Sequence, residues 1–533
     1  MKGIVAAVFG AVLCLGQHQH PAIGSEKPVA LYPGLGIWKH PISTSKPEAQ
    51  KFFDQGLVLM YGFNRYEAKR SFQKALEIDP QAAMAQWGIA MATGPYLNMD
   101  MEPNLSLKDS CAAAEAGLRI PNITPTDRAW LEAAATRCPD YSDPSKYVSA
   151  MRQLAQRFPD DPDAQTWYAE ALMVPVRWRW YGIDGKPAEG EEEAERVLQS
   201  VLRKFPDHPG ANHFYIHAVE SSPTPERAVP SAQKLMGIVP AAGHMVHMPG
   251  HIWLVLGDFR TTIDVNERAA QVDREYFAKT GVIGDYYPYY LHNLSFILYA
   301  QAMQGRTPET KKAIADYREA LRPMEQAMPE MAAVFSLFVT MTQIRMGLWD
   351  ELLATPQPKS TNPLLLTMLL AMWRYGRAMA LASQAKGAEA AVERQEFEKQ
   401  RKLVNRDEPW STNKLGDVMD LASACLDARL DGSAEKWKKA VEIQDRLAYD
   451  EPPAWYYPVR ESLGAALLRS GDAAGAEVVF REGLRRSPNN GRMLFGLLES
   501  LKAQQKTEAV AWVEREFQTA WKGADVPLRL RDL

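Results

Sequence analysis

Apolar positions along most of this chain recur at helical spacing and are separated by short turns. The pattern runs clearly through Ala378–Glu398 and Trp437–Tyr449, and no stretch reads as a convincing strand. Two distant segments share one ruler: Gly56, Ala68, Phe72, Ala75 and Pro80 have the spacing of Gly464, Ala476, Phe480, Gly483 and Pro488. Small residues at these places let two antiparallel helices approach, the phenylalanine fills the gap between them, and the proline ends the second helix. The pattern predicts an all-α chain of repeated helical hairpins.

These two segments resemble the tetratricopeptide repeat, whose consensus has small residues at positions 8, 20 and 27 and proline at 32. The resemblance implies a helix-turn-helix solenoid in which the first helix of each repeat lines a concave groove. It identifies a fold and says little about function.

The same ruler fits the middle of the chain. Pro159, Pro206 and Pro240 fall at position 32, so repeats begin at Pro162, Pro209 and Gly243, with Ala169 and Gly250 at position 8, Ala269 at 27 and Gly257 in an inter-helix turn. The repeat from Pro162 carries an insert of roughly Pro175 to Gly190, with Trp178, Trp180 and Tyr181. In the resembled family, positions 2, 5, 9 and 12 face the groove. Position 5 holds Thr166, His213 and His247; position 9 holds Glu170, His217 and His251; position 12 adds Glu220 and position 2 adds His244. His292 falls near position 2 of the next repeat, after Tyr286, Tyr287, Tyr289 and Tyr290.

Seven of the ten histidines lie between His208 and His292, and the pairs His213/His217 and His247/His251 are offset by 34 residues, one helix-turn-helix repeat. Residues four apart share a helix face, so each pair can offer two imidazoles to one ion. Neighbouring helices roughly 8–10 Å apart can build a metal site between them. Imidazoles suit zinc, copper or iron, whereas magnesium and calcium prefer oxygen. The carboxylates Glu170 and Glu220 tilt towards zinc, iron or manganese; Met245 and Met248 lean towards copper, with core packing as their plainer use. The expected ligands are therefore His213, His217, Glu220, His247, His251, His244, His292 and Glu170. His208, in the turn Asp207-His208-Pro209, is expected to be structural. Pro249 removes a helical hydrogen bond between His247 and His251. If a helix starts there, His244 and His247 lie on the preceding loop.

At 533 residues, 46% hydrophobic and 24% charged, the chain suits a soluble packed protein, and its net charge of −4 with no basic block speaks against nucleic acid as a partner. Lys2, the apolar run Gly3–Gly16 and small Ala22 and Gly24 read as a signal peptide cleaved before Ser25, giving a periplasmic or secreted protein. An uncleaved anchor is the rival; Leu13 makes a poor lipobox before Cys14. No other segment is expected to span a membrane, and the apolar run Leu364–Trp373 reads as a buried helix. Of the three remaining cysteines, Cys111 and Cys138 could bridge a helical hairpin in an oxidising compartment. The expected layout is a signal peptide at 1–24, an extension at 25–48, tetratricopeptide-like hairpins at 49–158, histidine-bearing repeats at 159–323 and further hairpins at 324–533.

No HExxH, P-loop or nucleotide-binding GxGxxG occurs. The expectation is an exported metalloprotein with a transition-metal site, and a metal-dependent hydrolase or oxidoreductase acting on a small-molecule substrate if it is catalytic. The alternatives are a scaffold binding a protein or peptide partner in its groove, and a metal storage or delivery protein.

Overall fold

Phe72 is the pin between the first three helices, α1 (Pro47–Tyr61), α2 (Arg65–Ile78) and α3 (Ala83–Thr93). Its ring is fully buried, and a Cβ added at either Gly56 or Gly88 would stand 2.6 Å from it. Phe480 does the same between Gly464 and Gly496. Only glycine lets the flanking helices come this close, which is the physical content of the shared spacing. Asn64 and Asp472 cap the second helix of their hairpins, accepting from the backbone N–H groups of Glu67 and Gly475. Both second helices stop before the expected prolines, at Ile78 and Arg486.

This computed structural model describes residues 23–24, 26–99, 105–526 and 528–533. The expected signal segment falls outside them except for Ile23–Gly24, which pair antiparallel with Val282–Ile283. Beside a second two-residue pair, Pro409–Trp410 with Asn413–Lys414, the architecture is all-α.

Chain contacts define two compact units, residues 23–252 with 264–293 and residues 253–263 with 294–533. The first continues after α3 with α4 (Leu107–Leu118), α5 (Pro125–Ala135), α6 (Pro144–Arg157), α7 (Pro162–Met173), α8 (Glu191–Lys204), α9 (Pro209–Glu220) and α10 (Val229–Ile238). It then takes in α11 (Gly243–His247) and parts of α12 (Pro249–Val255), α13 (Phe259–Thr280) and α14 (Tyr287–Gln304). The repeats begin where the ruler placed them. Pro162 and Pro209 open α7 and α9, and Gly243 opens α11. Proline suits the first turn because its missing N–H would have had no partner there. His208 is the N-cap of α9: its Nδ1 accepts the Ala211 N–H at 3.1 Å. The insert after α7 packs Trp180 into the unit, its indole N–H donating to the Met173 carbonyl at 3.2 Å. Cys111 and Cys138 form a disulfide between α4 and the turn that follows α5.

In the second unit the helix Pro363–Ser383 is long and apolar enough to cross a membrane by length and composition. Its Leu365, Met368, Leu369, Met372 and Tyr375 are nonetheless buried in a core shared with Val418, Met419, Trp437 and Trp455. Arg345 and Glu461 form a buried ion pair there, and Asn490 adds a hydrogen bond to Glu461 at 2.7 Å.

Candidate metal centre

Pro249 interrupts the hydrogen-bond ladder of its repeat but does not turn the chain aside. Met248, between α11 and α12, keeps helical angles of −51° and −36°, and its N–H still reaches the His244 carbonyl. The pair His247/His251 therefore keeps its i, i+4 relation across the break, matching His213/His217 on the unbroken α9.

In each pair the two Nε2 atoms face one another, 3.1 Å apart for His213 and His217 and 2.8 Å for His247 and His251. Each Nδ1 meets an acceptor. His213 Nδ1 lies 2.5 Å from the Tyr61 carbonyl oxygen, and His247 Nδ1 lies 2.6 Å from Asn266 Oδ1. His217 Nδ1 lies 3.1 Å from Glu220 Oε1, and His251 Nδ1 lies 2.8 Å from Glu220 Oε2. A carbonyl, an amide oxygen and a carboxylate only accept, so this network assigns the proton to Nδ1 in all four rings and leaves Nε2 as a lone pair. His244 completes one group of three with His213 and His217, and His292 completes another with His247 and His251; within each group one ligand atom per residue lies within 4.8 Å of the others. Rings of the two triads are neighbours, with centroids 5.6 Å apart for His217 and His251 and 5.5 Å for His244 and His247.

All these histidines except His292 are buried, although their repeat positions were expected to line an open groove. The groove is filled from within the same unit. The turn after α1 lays Phe63 against the first triad, its ring centroid 4.5 Å from His213 and 5.0 Å from His244. Trp178 and Trp180 of the insert approach His217 at 5.7 and 5.6 Å, and Tyr289 stands 4.8 Å from His244. Phe63 holds a left-handed φ of 56°, in a helix-ending turn that usually takes glycine. Such strain persists where surrounding packing over-determines it, and here the ring covers the triad.

Burial and the neighbouring imidazoles push His213, His244 and His247 far below the ordinary histidine range, so these rings are neutral. Burial pushes Glu220 upward, but the contacts with the His217 and His251 rings outweigh it and bring the carboxyl down to about 2, so it is ionised. Both nitrogens of His244 are buried without a hydrogen-bond partner.

Seven of the eight expected ligands thus come together, with Glu220 orienting two rings through their Nδ1 atoms. Glu170 does not join them. It is buried on α7 with neither oxygen hydrogen-bonded in good geometry; desolvation raises it to about 7 against the opposing charges of Arg137 and Arg65. Sequence reasoning missed Tyr61, Phe63 and Asn266. A backbone carbonyl carries no sequence signal, and Asn266 sits on the second helix of its repeat, away from the positions taken to face the site. Met245 and Met248 are buried in the core.

His217, Glu220 and His251 form a third group with ligand spacing, which draws on both triads, and His40, Asp161 and Asp163 form a fourth. Asp163 is already satisfied there, accepting from Tyr61 Oη at 2.6 Å, Trp38 Nε1 at 3.1 Å and His40 Nδ1 at 3.0 Å. It is a structural hub.

The fold is tetratricopeptide-like. No protein-family model matches the chain, and no curated protein matches it. Among solved structures, it aligns with the Cut9–Hcn1 hetero-tetramer of the APC/C at 13% identity and a TM-score of 0.33, covering 86% of this chain and 78% of that one. Yeast Tom70 aligns at 11% identity and 0.29, covering 89% and 93%. A human IFIT1 dimer with m7Gppp-AAAA aligns at 11% and 0.35, covering 90% and 92%. Likeness at this level transfers no ligand or partner, so the function must be argued from the site.

Proposed function

We propose that this protein binds two transition-metal ions, one in the triad His213/His217/His244 and one in the triad His247/His251/His292. The carrying observation is the pair of Nε2 contacts at 3.1 and 2.8 Å between rings whose Nδ1 atoms are turned to acceptors. Two lone pairs held that close repel one another unless a cation lies between them. A metal bound to two imidazoles at about 2.0–2.1 Å in tetrahedral geometry needs nitrogens about 3.3 Å apart, close to what the rings already offer. The acceptors on Nδ1 fix ring orientation and tautomer, the arrangement that supports metal-ligating histidines generally.

The groove positions of these repeats are taken up by the centre itself, so a protein or peptide partner would dock on other faces of the hairpins. The Cys111–Cys138 disulfide supports export to an oxidising compartment.

Elemental analysis of untagged full-length protein tests the reading, beside a His217→Ala/His251→Ala variant whose fold is checked by circular dichroism. Two equivalents of transition metal, lost from the folded variant, are expected. Metal-free protein that stays metal-free on reconstitution with zinc, copper or iron would sink the reading.

A further inference from the structure

Resting on the two-ion reading above, we infer that the paired triads are a dicopper centre that takes up dioxygen, which two copper(I) ions reduce to a peroxide held between them.

The donor set points to copper. Each triad offers three neutral imidazoles, and the carboxylate that touches the rings, Glu220, is shared between both triads through Nδ1 atoms. Two divalent ions would bring four positive charges into a buried pocket where the Glu220 carboxylate offsets one, whereas two copper(I) ions bring two. Coordination number agrees. Zinc(II) with three histidines takes water as a fourth ligand, and that water needs hydrogen-bond partners. In the wall beside the first triad Phe63 has no polar atom, Trp180 donates to the Met173 carbonyl, and Tyr289 Oη is 2.8 Å from Tyr96 Oη. Copper(I) is content with three ligands and needs no water.

Enclosure and pairing point to dioxygen. The first triad is buried on every member and closed off from solvent, whereas a small apolar diatomic molecule can permeate a packed interior. The triads share ring contacts at 5.5–5.6 Å, which makes their ions close neighbours. Each copper(I) gives one electron. The O–O double bond becomes a single bond, no proton is needed, and the products are two copper(II) ions and one peroxide dianion. The total charge of ions plus ligand is two positive before and after, so uptake adds no net charge to the buried pocket.

The test loads full-length protein anaerobically with copper(I) alone and then admits dioxygen. Two coppers retained per chain, one dioxygen consumed per two coppers, an intense near-ultraviolet peroxide-to-copper(II) absorption and a silent EPR spectrum from paired spins are expected. Two retained coppers that stay reduced, or that oxidise to isolated EPR-visible copper(II), overturn the dioxygen inference and leave the two-ion reading standing. Failure to retain copper in protein that holds two zinc ions on separate reconstitution overturns the choice of metal, and retention of neither metal overturns both readings. A His292→Ala variant, altered at the partly exposed ligand, is expected to keep about half the copper and take up no dioxygen, because one copper(I) supplies only one electron. If it keeps half the uptake, the two ions act independently and the inference fails.

Discussion

Asn266 Oδ1 lies 2.6 Å from His247 Nδ1, and it is glycine at position 250 that lets it come so near. A Cβ at Gly250 would stand 2.6 Å from the Asn266 amide nitrogen. Asn266 fixes His247 as Glu220 fixes His217 and His251, from outside the two histidine triads. Asn266→Leu should therefore weaken metal retention by about 10–100-fold without touching a ligand. Asn266→Asp, which can still accept from Nδ1, should retain most of the affinity. Competition against a chromophoric chelator measures both; equal loss in the two variants would mean that Asn266 merely fills space.

On the two-ion reading, removing the metal should destabilise the protein. An ion at a thousandfold excess over its dissociation constant stabilises the native state by about 4 kcal/mol. Metal-loaded protein should thus melt several degrees higher than chelated protein, and the gap should close in Glu220→Gln. A glutamine at 220 can accept from one Nδ1–H only and turns its amide N–H groups towards the other. Calorimetry with and without chelator gives the answer, and an unchanged melting temperature would argue against bound metal in the native state.

Much of this was written in the spacing. The hairpin ruler located Gly56, Phe72, Gly464 and Phe480 because each does one thing in one place, and the starts at Pro162, Pro209 and Gly243 follow from how proline and small residues open helices. The 34-residue offset brought the histidine pairs into register. Enclosure was not legible. Whether a groove position faces solvent depends on which distant turn lies over it, and Phe63 is separated from His213 by 150 residues of sequence. Glu170 shows the other limit: the register places its backbone beside those of His217 and His251, but its side chain settles by Arg137 and Arg65 instead.

The same geometry makes the glycines of the ruler testable. Gly464→Ala puts a methyl group into the Phe480 ring, and the helices must part or the ring must leave its rotamer, at a cost of about 1–3 kcal/mol. Gly432→Ala is not a matched control because of its positive φ, whereas Gly387→Ala is: nothing lies within 4 Å of its Cβ and it opens a helix. Urea denaturation should separate the two, with Gly387→Ala close to neutral.

Breaking the Cys111–Cys138 bridge should lower stability by about 3 kcal/mol, the order expected for closing a loop of a few tens of residues. Cys138→Ser tests it without exposing the buried Cys425 thiol to a reductant. A denaturation midpoint identical to that of the disulfide-bonded protein would show that the hairpin of α4 and α5 is held by packing alone.

Glu170 makes the sharpest statement about pH. Its carboxyl is fully buried and pushed up to about 7 by desolvation, with Arg137 and Arg65 pulling the other way. The folded chain therefore holds this proton more tightly than the unfolded one, and the sign follows. Stability linked to Glu170 is fully present below the ordinary glutamate range, falls as pH rises towards about 7, and is level above that. The loss amounts to about 3 kcal/mol, taking ~1.4 kcal/mol for each pH unit between the two values. Glu170→Gln keeps the shape and removes the charge. Its stability relative to the native sequence should grow by that amount from pH 4.5 to pH 7 and then stay constant. Chemical denaturation of both proteins across that range, with chelator present so that metal occupancy does not vary, checks it. A difference independent of pH would mean that Glu170 keeps its ordinary acidity, which would require a partner for its buried oxygens.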